Sequence, residues 1–563
     1  MARLVLGPLL RYVSDTEATV WVETDAPCEV QVLGRVASTF AVAGHHYALV
    51  ILDGLAPGST LPYEVQLDGV RSWPPPDDPY PQCVIRTHTH DESLRLAFGS
   101  CRLSLPHTLP YVLTKDDDPR GRAVDALLAL VERMRHEPVS EWPDAFLLLG
   151  DQVYADEVSP GTEELIAGRR GPGGPPRDEV ADFEEYTSLY RDSWSDPALR
   201  WLLSTVSSAM IFDDHDVHDD WNISEAWIAQ MRAKPWWEER ILGAYMSYWI
   251  YQHLGNLSPA RLFDDPIFCA VQEAEGDCEG LVREFARTCA REIAGARWSF
   301  FRDFGRTRLV VLDTRAGRVL SEGRRQMLSD TEWAWAEDRC TGDFEHLVIG
   351  SSLPVLLAPA MHHVEAWNEA VCDGAWGRLA ARAGERLRQA LDLERWPAFG
   401  GCFNRLAVLL EDVAAGRRGP APATIVLLSG DVHHAYVAEA SFPGREVTSR
   451  VLQATCSPVR NPLDKLERRL LRAAFTRPVT ALTRRLARAA GVPPPPLRWA
   501  FAQPPTFDNQ IARLDLRGRE AQLLIEKTVA EDWQEPRLHP ILSLEIAGTP
   551  PATSQAVGAR RRR

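Results

Sequence analysis

The sequence predicts an α/β body over residues 93–545 preceded by a small all-β domain over residues 1–90. Three observations carry that prediction. At 563 residues the chain is too long for one compact core. Residues 1–90 alternate inward and outward positions with β-branched and aromatic side chains, as in Ala18–Glu23 and Cys28–Val32. From residue 93 the pattern changes to short apolar runs, each followed at once by a polar cluster and several separated by helical stretches.

Within the first domain, Leu52–Leu67 holds a leucine, a Pro-Gly turn and an alternating strand carrying Tyr63. It resembles the fibronectin type III or immunoglobulin-like sandwich with its tyrosine corner. Trp73–Pro79 and Thr87–Asp91 read as the domain's end and a solvated linker. His88 and His90 have ligand spacing, but nothing nearby completes a site.

The body's apolar runs are Leu94–Cys101, Ala145–Asp151, Ala209–Asp214, Arg308–Asp313, His346–Ser352 and Thr424–Asp431. Arg122–His136 and Gly384–Leu393 read as helices between them. In sheets of buried strands the ligand site lies at the carboxyl ends, where the polar clusters fall. Three stretches read as loops or insertions: Gly161–Arg177, about 255–295, and Asp464–Ala490. The last is an amphipathic helix broken at Pro478, with Leu466, Leu470, Leu471, Phe475, Leu482 and Leu486 as its apolar stripe. Its basic residues leave the reading open between a helix packed on the core and, alternatively, a basic lid or an anionic-membrane contact. Residues 546–563 read as a disordered basic tail.

A net charge of −16 argues against nucleic-acid affinity, and a site for anions would need local cations to reverse that field. Ten cysteines without paired spacing suit a reducing compartment. No apolar run spans a bilayer, and the N-terminus lacks a secretory core, so the expected location is cytoplasmic. No obligate protein partner is evident.

The chemistry lies in three clusters. Gly150–Asp156 holds two carboxylates and a phenol, and Gly430–His434 a carboxylate and two histidines. Asp213–Asn222 packs five carboxylates, two histidines and an amide into ten residues. So many carboxylates together are repulsive unless cations are bound. Oxygen ligands suit hard cations, whereas imidazole and thiolate suit transition metals, so the mixture points to two unlike ions. Each cluster alone is a weak signal, since an Asp after a strand is often a cap or turn residue.

Gly150-Asp-x-x-Tyr154, Asp213-Asp-His-Asp216 and Gly430-Asp-Val-His-His434 resemble the signature blocks of the PhoD-like (alkaline phosphatase D) family of calcineurin-like metallophosphoesterases. Gly99-Ser-Cys101 and Leu312-Asp-Thr-Arg315 add to a likeness that runs over nearly the whole chain. The resemblance implies a four-layer αββα sandwich. It also implies hydrolysis of small phosphomonoesters or phosphodiesters by hydroxide attack at a metal centre, with a histidine as general acid. The metals it implies are iron (Fe3+) and one or more calcium ions (Ca2+), other pairs occurring in the wider superfamily. Asp151 would bridge the ions; Cys101, Tyr154 and His433 would complete the iron site, and Asp214 and Asp431 the second. Asp219, Asp220 and Asn222 would add oxygen ligands, His215 would be the general acid, and Arg102, Arg315 and His434 would hold phosphoryl oxygens. Each keeps a plainer reading: an inert thiol, a core tyrosine, a structural histidine, a salt-bridged arginine.

One departure favours an oxygen-rich second site. Where simpler relatives carry a histidine after the fifth strand, this chain has Gly350-Ser-Ser-Leu-Pro354, with His346, His362 and His363 displaced from it. Two further readings stay open: a phosphodiesterase or phospholipase D-like enzyme acting on lipids or nucleotides, and a metal-binding scaffold without turnover.

Overall fold

The structure, a computed structural model, describes residues 1–89, 93–171, 173–293 and 295–547. His90 of the linker and residues 548–563 of the tail lie outside the described residues. Ten strands open the chain: β1 (Leu4–Val13), β2 (Ala18–Thr24), β3 (Glu29–Val32), β4 (Arg35–Ser38), β5 (Phe40–Val42), β6 (His45–Leu52), β7 (Thr60–Pro62), β8 (Val65–Leu67), β9 (Val70–Trp73) and β10 (Val84–Arg86). They form antiparallel sheets ordered β1-β2-β6-β5 and β4-β3-β8-β9, with β10 paired to β7.

Period-two alternation gives the first sheet two apolar faces. Val20, Val22, Ala48, Val50 and Leu52 meet Val30, Val32, Val65 and Leu67 of the second sheet. Leu6, Leu9, Trp21, Phe40, Tyr47 and Leu49 point the other way, into the core of the α/β body. Polar ties reinforce that seam. The buried Arg11 guanidinium donates to the carbonyls of Tyr251 and Gln252, both at 2.7 Å. His45 bridges Glu23 at 3.1 Å and Glu184 at 2.8 Å. The Tyr63 hydroxyl departs from the tyrosine-corner expectation. It donates to the Ser204 carbonyl of the body at 2.5 Å, so its bond crosses the seam rather than bracing its own sandwich. The described part of the linker is packed and not solvated: Thr87 is buried, and the His88 ring packs edge-on against Phe304 with centroids 5.2 Å apart.

The body is mixed α/β. Its strands are β11 (Leu94–Gly99), β12 (Ala145–Leu149), β13 (Ser207–Ile211), β14 (Phe300–Phe304), β15 (Thr307–Leu312), β16 (His346–Ser351), β17 (Thr424–Ser429), β18 (Tyr436–Ser441), β19 (Arg450–Thr455), β20 (Arg498–Phe501), β21 (Gln510–Arg517), β22 (Glu520–Lys527) and β23 (His539–Ala547). Six form a sheet ordered β13-β12-β11-β21-β22-β23, and seven a sheet ordered β14-β15-β16-β17-β19-β18-β20. The pairs joining β11, β12 and β13, and those joining β15, β16, β17 and β19, are parallel. All six apolar runs of the sequence are therefore strands, and their carboxyl ends carry the polar clusters.

Alternate residues of the seven-stranded sheet join different cores. Val310, Leu312, Leu347, Ile349, Ile425 and Leu427 meet Trp333 of the Asp330–Arg339 helix and Phe403, Leu406 and Leu410 of the Gly400–Ala414 helix. Leu309, Val311, Val348, Val426 and Leu428 join Leu147 and Leu149 of the other sheet. Gly350 suits that contact, because a Cβ there would sit 3.3 Å from Leu147, Leu149 and Val311.

The expected helices are present as Ala126–Met134 and Arg378–Ala390. Two stretches read as loops are helical instead. Pro160–Arg170 is a helix because the Ser159 side chain caps it and Pro160 pre-sets its first turn, which outweighs Gly161 and Gly168. Residues 255–295 carry the helices Pro259–Phe263, Pro266–Glu273 and Glu279–Arg291. Asp464–Ala490 divides into Lys465–Ala474, opened by a capping box at Asp464, and Arg477–Ala489, with Pro478 in its first turn. All ten cysteines are free, and among the described residues no helix is long and apolar enough to cross a membrane.

Candidate metal centre

The centre is assembled from short turns that leave the parallel strands. After β11 come Ser100 and Cys101, after β12 Gly150 and Asp151, after β13 Asp213–Asp216, after β15 Asp313–Arg315, and after β17 Gly430–His434. These turns lock to one another: Cys101 N–H donates to the Gly150 carbonyl at 3.3 Å, Arg102 N–H to that of Asp151 at 3.2 Å, and Gly430 N–H to that of Ser352 at 2.8 Å. A Cβ on Gly430 would collide with Ser100 and the Leu149 carbonyl, and one on Gly150 with the Asp213 side chain, so both positions need glycine.

The turns hold a sharply bent backbone. Cys101, Asp151, Asp220, Asn222, Asp431 and His433 all have left-handed φ, between 49° and 65°. Such conformations cost on the order of 1 kcal/mol each in non-glycine residues and persist where the surroundings enforce them. Asp216 does much of the enforcing. Its carboxylate accepts the N–H groups of Asp151 (2.9 Å), Gln152 (3.2 Å), Val153 (3.3 Å) and Asp213 (2.9 Å). Burial nonetheless raises the Asp216 carboxyl to about 7, despite those donors.

Donor atoms converge in three overlapping groups, each within 4.8 Å: Cys101, Asp151 and His433; Asp151, Asp214 and His215; and Asp213, Asp214 and Asp431. The Tyr154 hydroxyl joins the first, 3.3 Å from Asp151 Oδ2. Burial, with Asp151 close by, pushes the Cys101 thiol and the Tyr154 phenol up. Burial also raises Asp151 and holds His433 down to about 3, hence neutral and free to offer a lone pair. Asp151 Oδ1 is buried without a hydrogen-bond partner. Soft and hard donors around an orphaned carboxylate oxygen, with protons only a cation would displace, fit a metal well.

The structure places the remaining candidates less uniformly. His215, itself a donor of the second group, stacks on Tyr154 at 4.7 Å, with Nδ1 2.9 and 3.1 Å from the two Asp156 oxygens. Burial opposes its charge, but Asp156, Asp214 and Asp151 outweigh that and raise the imidazole well above its ordinary value. Asp220 N–H donates to Asp214 at 3.1 Å, Asn222 donates to the Arg315 carbonyl at 3.1 Å, and Asp219 stays largely exposed.

The three groups expected to hold phosphoryl oxygens are engaged elsewhere. Arg102 donates to Asp125 at 2.8 Å and to the Ser193 carbonyl at 3.0 Å. Arg315 is fully buried beneath the carboxylates, paired with Asp213, with Asp214 at 3.0 Å, with Glu394 at 2.6 Å and with Asp431 at 3.4 Å. His434 is enclosed by aromatic rings, stacked on Tyr436 at 5.2 Å and Phe507 at 5.6 Å. In each case a partner inside the fold outcompetes exposure to ligand.

Sequence reasoning passed over the groups that balance this centre. Arg395 donates to Asp431 at 2.7 Å, and Glu394 binds both Arg315 and Arg318. They follow no strand, so nothing in the local pattern singles them out. Asp156 stood within the first cluster, but its partnership with His215 has no sequence signal.

Residues 127–331 match the family model of the PhoD-like phosphatase, and residues 1–85 that of a domain of unknown function (DUF7800). The fold is similar to a solved structure of PhoD, at 12% identity and a TM-score of 0.59, covering 97% of this chain and 92% of that one. A purple acid phosphatase, PPD1 from yellow lupin (Lupinus luteus) seeds, aligns at 10% identity and a TM-score of 0.46, covering 97% and 74%. No curated protein matches the sequence.

Proposed function

We propose, starting from a chain whose residues 127–331 match the PhoD-like phosphatase family model, that this metal-dependent phosphatase cleaves small phosphate esters, monoesters or diesters, at the cluster around Asp151. The observation that carries the reading is the convergence of two donor groups on one buried carboxylate, Asp151, with His215 held by Asp156 at 2.9 Å. In this reading the two sheets are the centre of a four-layer αββα sandwich. Cys101, Asp151, Tyr154 and His433 would hold iron, and Asp151, Asp214 and Asp431 would hold calcium. When bound, the cations supply Lewis acidity toward the phosphoryl oxygens and the attacking water.

The chain's own residues do the rest. Asp156 fixes the His215 ring through Nδ1 and favours its charged form, leaving Nε2 to deliver a proton to the departing oxygen. Arg315 and Arg395 balance the carboxylates from below, so the group keeps its shape before any ion enters. Arg395 flanks Asp431 with its side chain still partly exposed, which suits it better than Arg315 to meet an anionic substrate.

A series of aryl phosphates with leaving groups of rising pKa tests the assignment. His215→Ala lowers kcat roughly a hundredfold or more on poor leaving groups and least on activated ones. Full turnover of His215→Ala on a poor leaving group would end the general-acid reading. Two bound metals with no hydrolysis of any ester would favour a scaffold instead.

A further inference from the structure

The hairpin of helices Lys465–Ala474 and Arg477–Ala489 turns small side chains and Phe475 inward and leaves three leucines outward. Ala474, Thr483 and Ala487 are buried, and Ala474 packs with Ala358 and Ala360. Leu466, Leu470 and Leu482 are 64%, 64% and 67% exposed. Trp376, 43% exposed, joins the hairpin through its indole, which donates to the Ala489 carbonyl at 3.2 Å.

Charge surrounds those leucines. In a chain of net charge −16, residues 465–489 hold seven arginines and one lysine against a single acid, Glu467. Lys465 and Arg468 pair with Asp116. Among the described residues, the other six arginines make no ion pair, and Arg472 lies 4.9 Å over the Phe507 ring. The hairpin also reaches the catalytic rim, since Phe475 packs edge-on against His434, next to the candidate ligand His433, with centroids 6.1 Å apart.

We propose that this hairpin is a docking surface for an anionic lipid bilayer. Unpaired arginines alone would serve any polyanion, but exposed leucines gain nothing against a nucleic-acid backbone. A bilayer surface uses both, taking leucines at the acyl boundary and arginines at the lipid phosphates. No further chain segment is needed to cover the face, and docking there brings the catalytic rim to the membrane.

Co-sedimentation of the full chain with vesicles tests this without reference to catalysis. The chain pellets with equimolar phosphatidylcholine and phosphatidylglycerol, not with phosphatidylcholine alone, and salt weakens the binding. Leu470→Ser with Leu482→Ser lowers vesicle affinity about tenfold. Arg484→Gln with Arg485→Gln lowers it by roughly fivefold per arginine. Both double variants change exposed residues away from the site and keep full turnover of a soluble aryl phosphate. Failure to pellet with the anionic vesicles overturns the proposal. So does duplex DNA displacing the chain while the leucine variant binds as the parent does, which would mark a nucleic-acid surface. A concentration-dependent dimer abolished by the leucine variant overturns it too, by placing a second copy on the face.

Discussion

Residues that hold the centre together are set apart from those that react. Arg315 touches four carboxylates from a fully buried position, so its loss leaves uncompensated charge where water cannot screen it. Arg315→Met should destabilise the chain by about 3–5 kcal/mol, measured as the shift in a urea unfolding curve at fixed metal content. Asp151→Asn behaves differently: elemental analysis should show both ions lost together, because two of the three donor groups share that side chain. Asp156→Asn should leave the metals in place and reduce kcat about ten- to hundredfold, the cost of a misoriented His215.

Among elements, the parallel strands and their turns were legible because buried strands read as apolar runs and their ends as polar clusters. What sequence could not give is pairing across the fold. Tyr63 bonds to a helix 141 residues away, and Asp431 is balanced by Arg395 from a segment with no strand before it. Glycines hid the Pro160–Arg170 helix, whose cap and leading proline were the overlooked signal. The seam between β6 and the Phe183–Trp194 helix carries a pH dependence. Burial opposes the charge of His45, but Glu184 and Glu23 override it and raise the imidazole to about 9. A folded value above the unfolded ~6.5 means the contribution is complete below that pH and is lost as pH climbs toward 9. His45→Gln should therefore cost about 1 kcal/mol at pH 6 and little at pH 10, measured by chemical unfolding at both values.

At the scale of the whole molecule, charge and seam set the constraints. A net charge of −16 repels phosphate esters, so kcat/KM for a doubly charged substrate should rise with ionic strength at low salt, checked by initial rates in a chloride series. A neutral or falling profile would mean that cations at the site dominate the approach. The first sheet of the N-terminal domain turns Trp21, Tyr47 and Leu49 into the main core, and Arg11 reaches through to the carbonyls of Tyr251 and Gln252. A sequence match ending at residue 85 thus marks a boundary of likeness and not one of folding. Cutting there would strip a wall from the rest of the chain and expose aromatic rings on both halves, so neither can be borrowed as an interchangeable part.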